Sequence, residues 1–176
     1  MVQYLWLFKG GIILGYILGN LCSLLAMLCD SYSSTKENKR DLLFTQSISQ
    51  FIYGLSSIFL KGYSASVQNF ISIIRNYFAL KEDRSKVIEW SLIIAGIVLG
   101  VIFNNRGLIG WLPILANLEY SLAVFYIKDN ERLIKISFLI TVIMYTMFNI
   151  FILNIVGTIT NSIVIISYTM NLLKNK

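Results

Sequence analysis

Histidine does not occur in this chain of 176 residues. Without imidazole there is no His-based triad or dyad and no histidine ligand for a metal. Walker loops, paired-cysteine motifs and acidic metal clusters are missing as well. Neither an enzyme activity nor a cofactor or metal is expected from this set of residues. Cysteine appears only at Cys22 and Cys29, inside one apolar run. On a single helix their spacing separates them by about 10 Å, too far for a disulfide, so both read as small packing residues. Charge is also scarce. Only 14% of residues are Asp, Glu, Lys or Arg, against about 25% in soluble domains.

What fills the chain instead is apolar: 56% of residues are hydrophobic and the mean hydropathy is +0.69. A spanning helix needs about 20 mostly apolar residues, so the length holds about seven. The expected class is an all-α, polytopic membrane protein. The start of the chain is not expected to be a secretory signal, because Met1–Trp6 carries no basic residue and no small-residue cleavage site ends the first apolar run.

Seven segments are predicted: Tyr4–Leu28, Leu42–Leu60, Gly62–Leu80, Ile88–Asn104, Leu108–Ile127, Leu133–Leu153 and Ile155–Leu173. The second and third meet at Lys61-Gly62, and the sixth and seventh near Asn154, as tight helical hairpins. The net charge of +6 would hint at nucleic acid in a soluble protein, but in a membrane protein the position of the charges matters more. Lys36, Lys39, Arg40, Lys81, Arg84, Lys86, Lys128, Arg132, Lys135, Lys174 and Lys176 fall on one side, and only Lys61 and Arg106 on the other. The bias predicts a cytoplasmic C-terminus and an N-terminus outside. Tyr4, Trp6, Tyr63 and Trp111 mark outer ends of spans, and Tyr77, Trp90 and Tyr126 inner ends.

Displaced by 92 residues, the chain matches itself without a gap. Lys36-Glu37-Asn38-Lys39-Arg40 lies over Lys128-Asp129-Asn130-Glu131-Arg132, Tyr53 over Tyr145, Ile58-Phe59 over Ile150-Phe151, Asn69 over Asn161 and Ile74 over Ile166. The first and fifth segments join only after a shift of about six residues. The unit is three helices. Residues 1–81 form the first, 82–106 carry a linker helix, and 107–176 form the second. One linker crossing restores the orientation, so the 3+1+3 repeat is parallel, as in the SWEET transporters.

The stretch Arg40–Lys81, with its short hairpin and Asn69-x5-Arg75-Asn76, resembles the YgjV-type bacterial inner-membrane proteins, as does Gly110-Trp-Leu-Pro113. That family is similar to the SWEET/PQ-loop superfamily of three helices, a linker helix and three helices. The resemblance implies the bacterial inner membrane and leaves the substrate undefined. Two features depart from the superfamily pattern: the chain has no Pro-Gln pair, and its one proline, Pro113, leaves no set of proline hinges.

Polar residues inside spans are costly and therefore informative. Arg75 and Glu119 lie on segments running the same way, at similar depth, and an ion pair or inner gate between them is expected; snorkelling of Arg75 to the inner headgroups is the plainer alternative. Asn69 and Asn161, at matching positions of the third helix of each unit, are the candidate substrate-binding residues, and the resemblance implies that such a pair lines a central pocket. Tyr53 and Tyr145 are candidates for the same cavity. Helix–helix hydrogen bonds for the asparagines and packing for the tyrosines are the structural alternatives. Asp30, Glu37, Asp41, Glu82, Asp83, Asp129 and Glu131 are expected in solvated cytoplasmic loops. Gly11, Gly15 and Gly19, and likewise Gly96 and Gly100, form small-residue ridges for close packing within or between subunits.

The function expected is transport of a small polar solute by alternating access. The rival is a membrane scaffold or sensor whose polar residues only hold helices together. The partners expected are the lipid bilayer and the solute, with room for a homo-oligomer and no nucleic acid.

Overall fold

A computed structural model describes the backbone of residues 2–81, 85–127, 130–151 and 154–174, with side chains from residue 13 onward. The side chains of Tyr4, Trp6, Lys9 and Gly11 lie outside the described residues, as do Glu82, Asp83, Arg84, Lys128, Asp129 and Lys176. The described residues form seven α-helices and no strand: α1 Val2–Ser33, α2 Lys39–Phe59, α3 Tyr63–Ala79, α4 Lys86–Ile102, α5 Trp111–Tyr126, α6 Glu131–Phe151 and α7 Ile155–Lys174. A short 3-10 turn, Gly107–Gly110, leads into α5, whose third residue is Pro113. There the missing amide proton costs no helical hydrogen bond.

Four helical stretches are long and apolar enough to cross a bilayer: Ile13–Ser33, Gly107–Tyr126, Glu131–Phe151 and Ile155–Lys174. Helices α3 and α4 have 17 residues each, the lower limit for a span. Helix α2 is long enough but carries buried Thr45, Gln46, Ser49, Gln50 and Ser56. Its polarity points into the bundle, where other helices satisfy it, while Phe44, Ile48, Phe51 and Ile58 face outward.

The chain packs as neighbours in sequence, α1 on α2 on α3 and α5 on α6 on α7, with α1 also against α7 and α3 against α5. Helix α4 covers the α3–α5 seam. Helices α2 and α6 begin and end 92 residues apart, and α3 and α7 begin 92 residues apart. Lys61 closes the α2–α3 turn in the left-handed region (φ 56°), and the Asn105 side chain donates to its carbonyl at 2.8 Å. The α4–α5 loop therefore lies at this end of the bundle. At the other end, Lys39 donates to the Ile127 carbonyl at 2.9 Å, joining the start of α2 to the end of α5.

Among the described glycines of the two ridges, Gly19 and Gly100 pack within the chain. A methyl group added at Gly19 would come 2.8 Å from Leu60, and one at Gly100 would come 2.8 Å from Ile114 on α5 and collide with Gln68 on α3. These contacts explain the close approach of α1 to α2 and of α4 to the α3–α5 seam. The cysteines are free, as their spacing predicts.

Candidate functional site

A cavity of about 70 Å³ lies between α1, α2 and α3 on one side and α6 and α7 on the other. A water molecule needs roughly 10–15 Å³ on this measure, so the space suits a few waters or a small solute. Its wall includes Leu60 and Gly62 of one tight turn and Asn154 at the other, so it reaches the hairpin end of the bundle. Asn69, Asn161, Tyr53 and Tyr145 all line it.

Asn69 and Asn161 are only 5% and 6% exposed, yet neither side chain makes a hydrogen bond to any described residue. Buried amides are ordinarily bonded, because leaving one unpaired costs about 1–3 kcal/mol. Here both open onto the cavity instead of tying helices together. The Tyr53 hydroxyl also lacks a well-formed hydrogen bond, although Thr160 is close by.

Toward the opposite end the cavity is floored. Phe138 sits between Tyr120 and Tyr168, with ring centroids 5.2 and 4.9 Å away. Beneath it runs a hydrogen-bond chain across four helices. The Tyr120 hydroxyl donates to Gln46 Oε1 at 2.5 Å, Gln46 Nε2 donates to the Tyr168 oxygen at 3.0 Å, and Tyr168 is bonded to Ser33, which gives its own proton to the Asp30 carbonyl.

The expectation that Asp30 lies in a solvated loop is corrected. Helix α1 runs on to Ser33, so Asp30 is helical, 2% exposed and part of the cavity wall. Ser49 of α2 donates to its Oδ1. Gln50 and Asn149 also line the cavity without having been singled out from the sequence. The signal for Gln50 was present: with Gln46 and Tyr53 it repeats at helical spacing along α2.

The Imp-YgjV family, described as bacterial inner membrane protein, matches residues 17–176. The chain belongs to this family. No curated protein and no solved structure matches it. An Imp-YgjV protein sits in the bacterial inner membrane, which accounts for the large apolar side chains exposed around its outer surface.

In this Imp-YgjV chain the expected Arg75–Glu119 pair does not form directly. Arg75 does not snorkel, and among the described residues it meets no carboxylate. It is 1% exposed, and its guanidinium donates to Asn117 Oδ1 at 2.6 Å and to Asn76 Oδ1 at 3.0 and 3.1 Å, while standing 4.6 Å over the Tyr120 ring. Asn117 relays the contact: its Nδ2 donates to Gln68 Oε1 at 2.6 Å, and Gln68 donates to the Gly96 carbonyl at 2.8 Å, linking α5, α3 and α4. Glu119 instead accepts from Ser137 at 2.7 Å and from Thr141 at 3.3 Å, both on α6. The reason is angular. Residues two apart on a helix point about 200° apart, so when Asn117 faces α3, Glu119 faces away from it. Asn117, Tyr120 and Ser121 share the face toward Arg75 by their three- and four-residue spacing.

Proposed function

We propose that this protein carries a small polar solute across the bacterial inner membrane by alternating access, with the cavity as its binding site. One observation carries the reading: two asparagines 92 residues apart in sequence, on the helices α3 and α7, are buried against one cavity with their amides unbonded by any described residue. A scaffold gains nothing from leaving such groups unpaired in a low-dielectric interior. A site that must hold and release a polar molecule needs them available.

In this reading the bundle has seven spans in a parallel 3+1+3 arrangement of SWEET/PQ-loop type, with units at residues 1–81 and 107–176 and the linker at 82–106. The shared 92-residue offset of the helix ends, and the paired contacts α1–α7 and α3–α5, support it. The N-terminus lies outside and the C-terminus in the cytoplasm, so the cavity reaches the outer face and the Tyr120–Phe138–Tyr168 floor closes the inner one. No enzymatic step and no nucleic acid enters this mechanism, and a homo-oligomer is compatible with it. A reporter fused after Lys176 is expected to be active in the cytoplasm; activity only in the periplasm would invert the topology.

The deciding experiment is solute flux into proteoliposomes holding the purified chain, screened over small polar metabolites. Saturable uptake above that of empty liposomes is expected for at least one compound. A screen in which every solute leaks equally through empty and loaded liposomes would favour the scaffold or sensor.

A further inference from the structure

Among the described residues, the wall of the cavity contains one carboxyl group and no lysine or arginine. That carboxyl, Asp30, is buried, and among the described residues the side chain that bonds it is Ser49, a neutral hydroxyl. Four of the basic residues described at this end of the bundle have other partners. Lys36 lies 3.9 Å over the Tyr32 ring, Lys39 bonds the Ile127 carbonyl, Lys135 bonds Asn171, and Arg75 is held by Asn76 and Asn117. The titratable groups facing Asp30 are Cys29 on its own helix, Tyr53 on α2, Tyr120 on α5 and Tyr168 on α7, none of them cationic. An ionised carboxylate in such a place is under-compensated, and buried charge is tolerated only when paired or neutralised. The rest of the wall favours a cation: the Tyr53, Phe138 and Tyr145 rings and the Asn69 and Asn161 amides surround the same space.

We propose that Asp30 is the cation-binding group of the cavity, and that the loaded protein carries one positive charge on it. This rests on the cavity being the solute site. The charge is either the ammonium head of the solute or a proton taken up with a neutral one. In the first case only an ion pair forms and no covalent bond changes; in the second the Asp30 carboxylate gains an O–H bond to a proton taken from the water on loading and returns that proton on unloading. Anionic solutes are excluded from the cavity by the same group.

The test uses the full chain in detergent, with thermal unfolding followed against added ethanolammonium chloride, the neutral isostere ethylene glycol, and acetate, at pH 6 and pH 8, for wild type and Asp30→Asn. If the solute brings the charge, the wild type binds ethanolammonium at least 10-fold more tightly than ethylene glycol at pH 8, and Asp30→Asn abolishes the preference. If the proton is the charge, the wild type binds ethylene glycol at least 10-fold more tightly at pH 6 than at pH 8, and Asp30→Asn removes the pH dependence. Either result supports the assignment, and acetate stabilises neither protein. Ethylene glycol bound equally by wild type and Asp30→Asn, at both pH values and as well as ethanolammonium, overturns the assignment while keeping the solute site. Failure of every probe to bind the wild type overturns both. Should Asp30→Asn not fold, Asp30→Glu keeps the charge one methylene further out. It must then retain the cation or pH preference with altered affinity, and an unchanged affinity overturns the proposal.

Discussion

Replacing Asn117 with leucine alone is expected to damage the protein more than replacing Arg75 and Asn117 together by methionine and leucine. Asn117 Oδ1 is the shortest partner of a guanidinium that is 1% exposed, and it also accepts from Ser72 at 2.9 Å. Leucine keeps the branched shape of the side chain with somewhat more bulk, so the main cost is electrostatic. It strands a buried charge, leaves Ser72 without its acceptor and removes the donor that holds Gln68. Removing a neutral hydrogen-bond partner from a buried charge costs about 1.5–3 kcal/mol, whereas replacing both partners by apolar groups is often close to neutral. Folded yield in the membrane and apparent Tm in detergent should therefore drop sharply for Asn117→Leu and recover in part in the double variant. Glu119→Gln should add independently to Arg75→Gln, because the two side chains belong to separate networks. A double variant worse than Asn117→Leu would refute the relay from Arg75 through Asn117.

The second large effect falls on flux. Asn69→Leu and Asn161→Leu each exchange an unpaired amide for an apolar group of similar size. Since no hydrogen bond to a described residue is lost, stability should hold within about 0.5 kcal/mol or rise. Solute uptake should fall at least 10-fold in each, because a hydrogen bond from the cavity wall to the solute is replaced by an unpaired polar group on the solute. The contrast between intact folding and lost uptake distinguishes a binding role from a structural one. Loss of folded protein in either variant would mean that the amide supports the bundle, and uptake unchanged in both would remove them from the site.

The helices were legible because apolar runs and charged loops alternate, and the asparagine pair because the 92-residue repeat sets Asn69 over Asn161. Asp30 was not. The apolar run ends at Leu28, and Asp30-Ser-Tyr-Ser-Ser reads as a turn, since these residues favour backbone hydrogen bonds outside helices. The helix continues because tertiary contacts hold it: Ser49 bonds Asp30, and Tyr168, 135 positions later in sequence, bonds Ser33. Such partners leave no local trace. Arg75 was legible as a buried cation but not in its choice of partner. Opposite charge at similar depth pointed to Glu119; helix rotation turned Asn117 toward it instead. The polar stripe Gln68, Ser72, Arg75 and Asn76 on α3, at helical spacing, would have announced a cation held by neutral partners had it been read as one face.

The two lines along which the halves meet are fastened unequally. Between α3 and α5 the described side chains make four hydrogen bonds, all but one of them through Asn117, with α4 laid over the joint. Between α1 and α7 there is one, from Tyr168 to Ser33. In the 92-residue register Arg75 corresponds to Ser167 and Gln68 to Thr160, so the second joint lacks the residues that weld the first. Halves joined this way would not rock evenly about a central axis. They would swing like a jaw, with the α3–α5 line as fulcrum and the α1–α7 line as the opening edge, and a single tyrosine hydroxyl would be its latch.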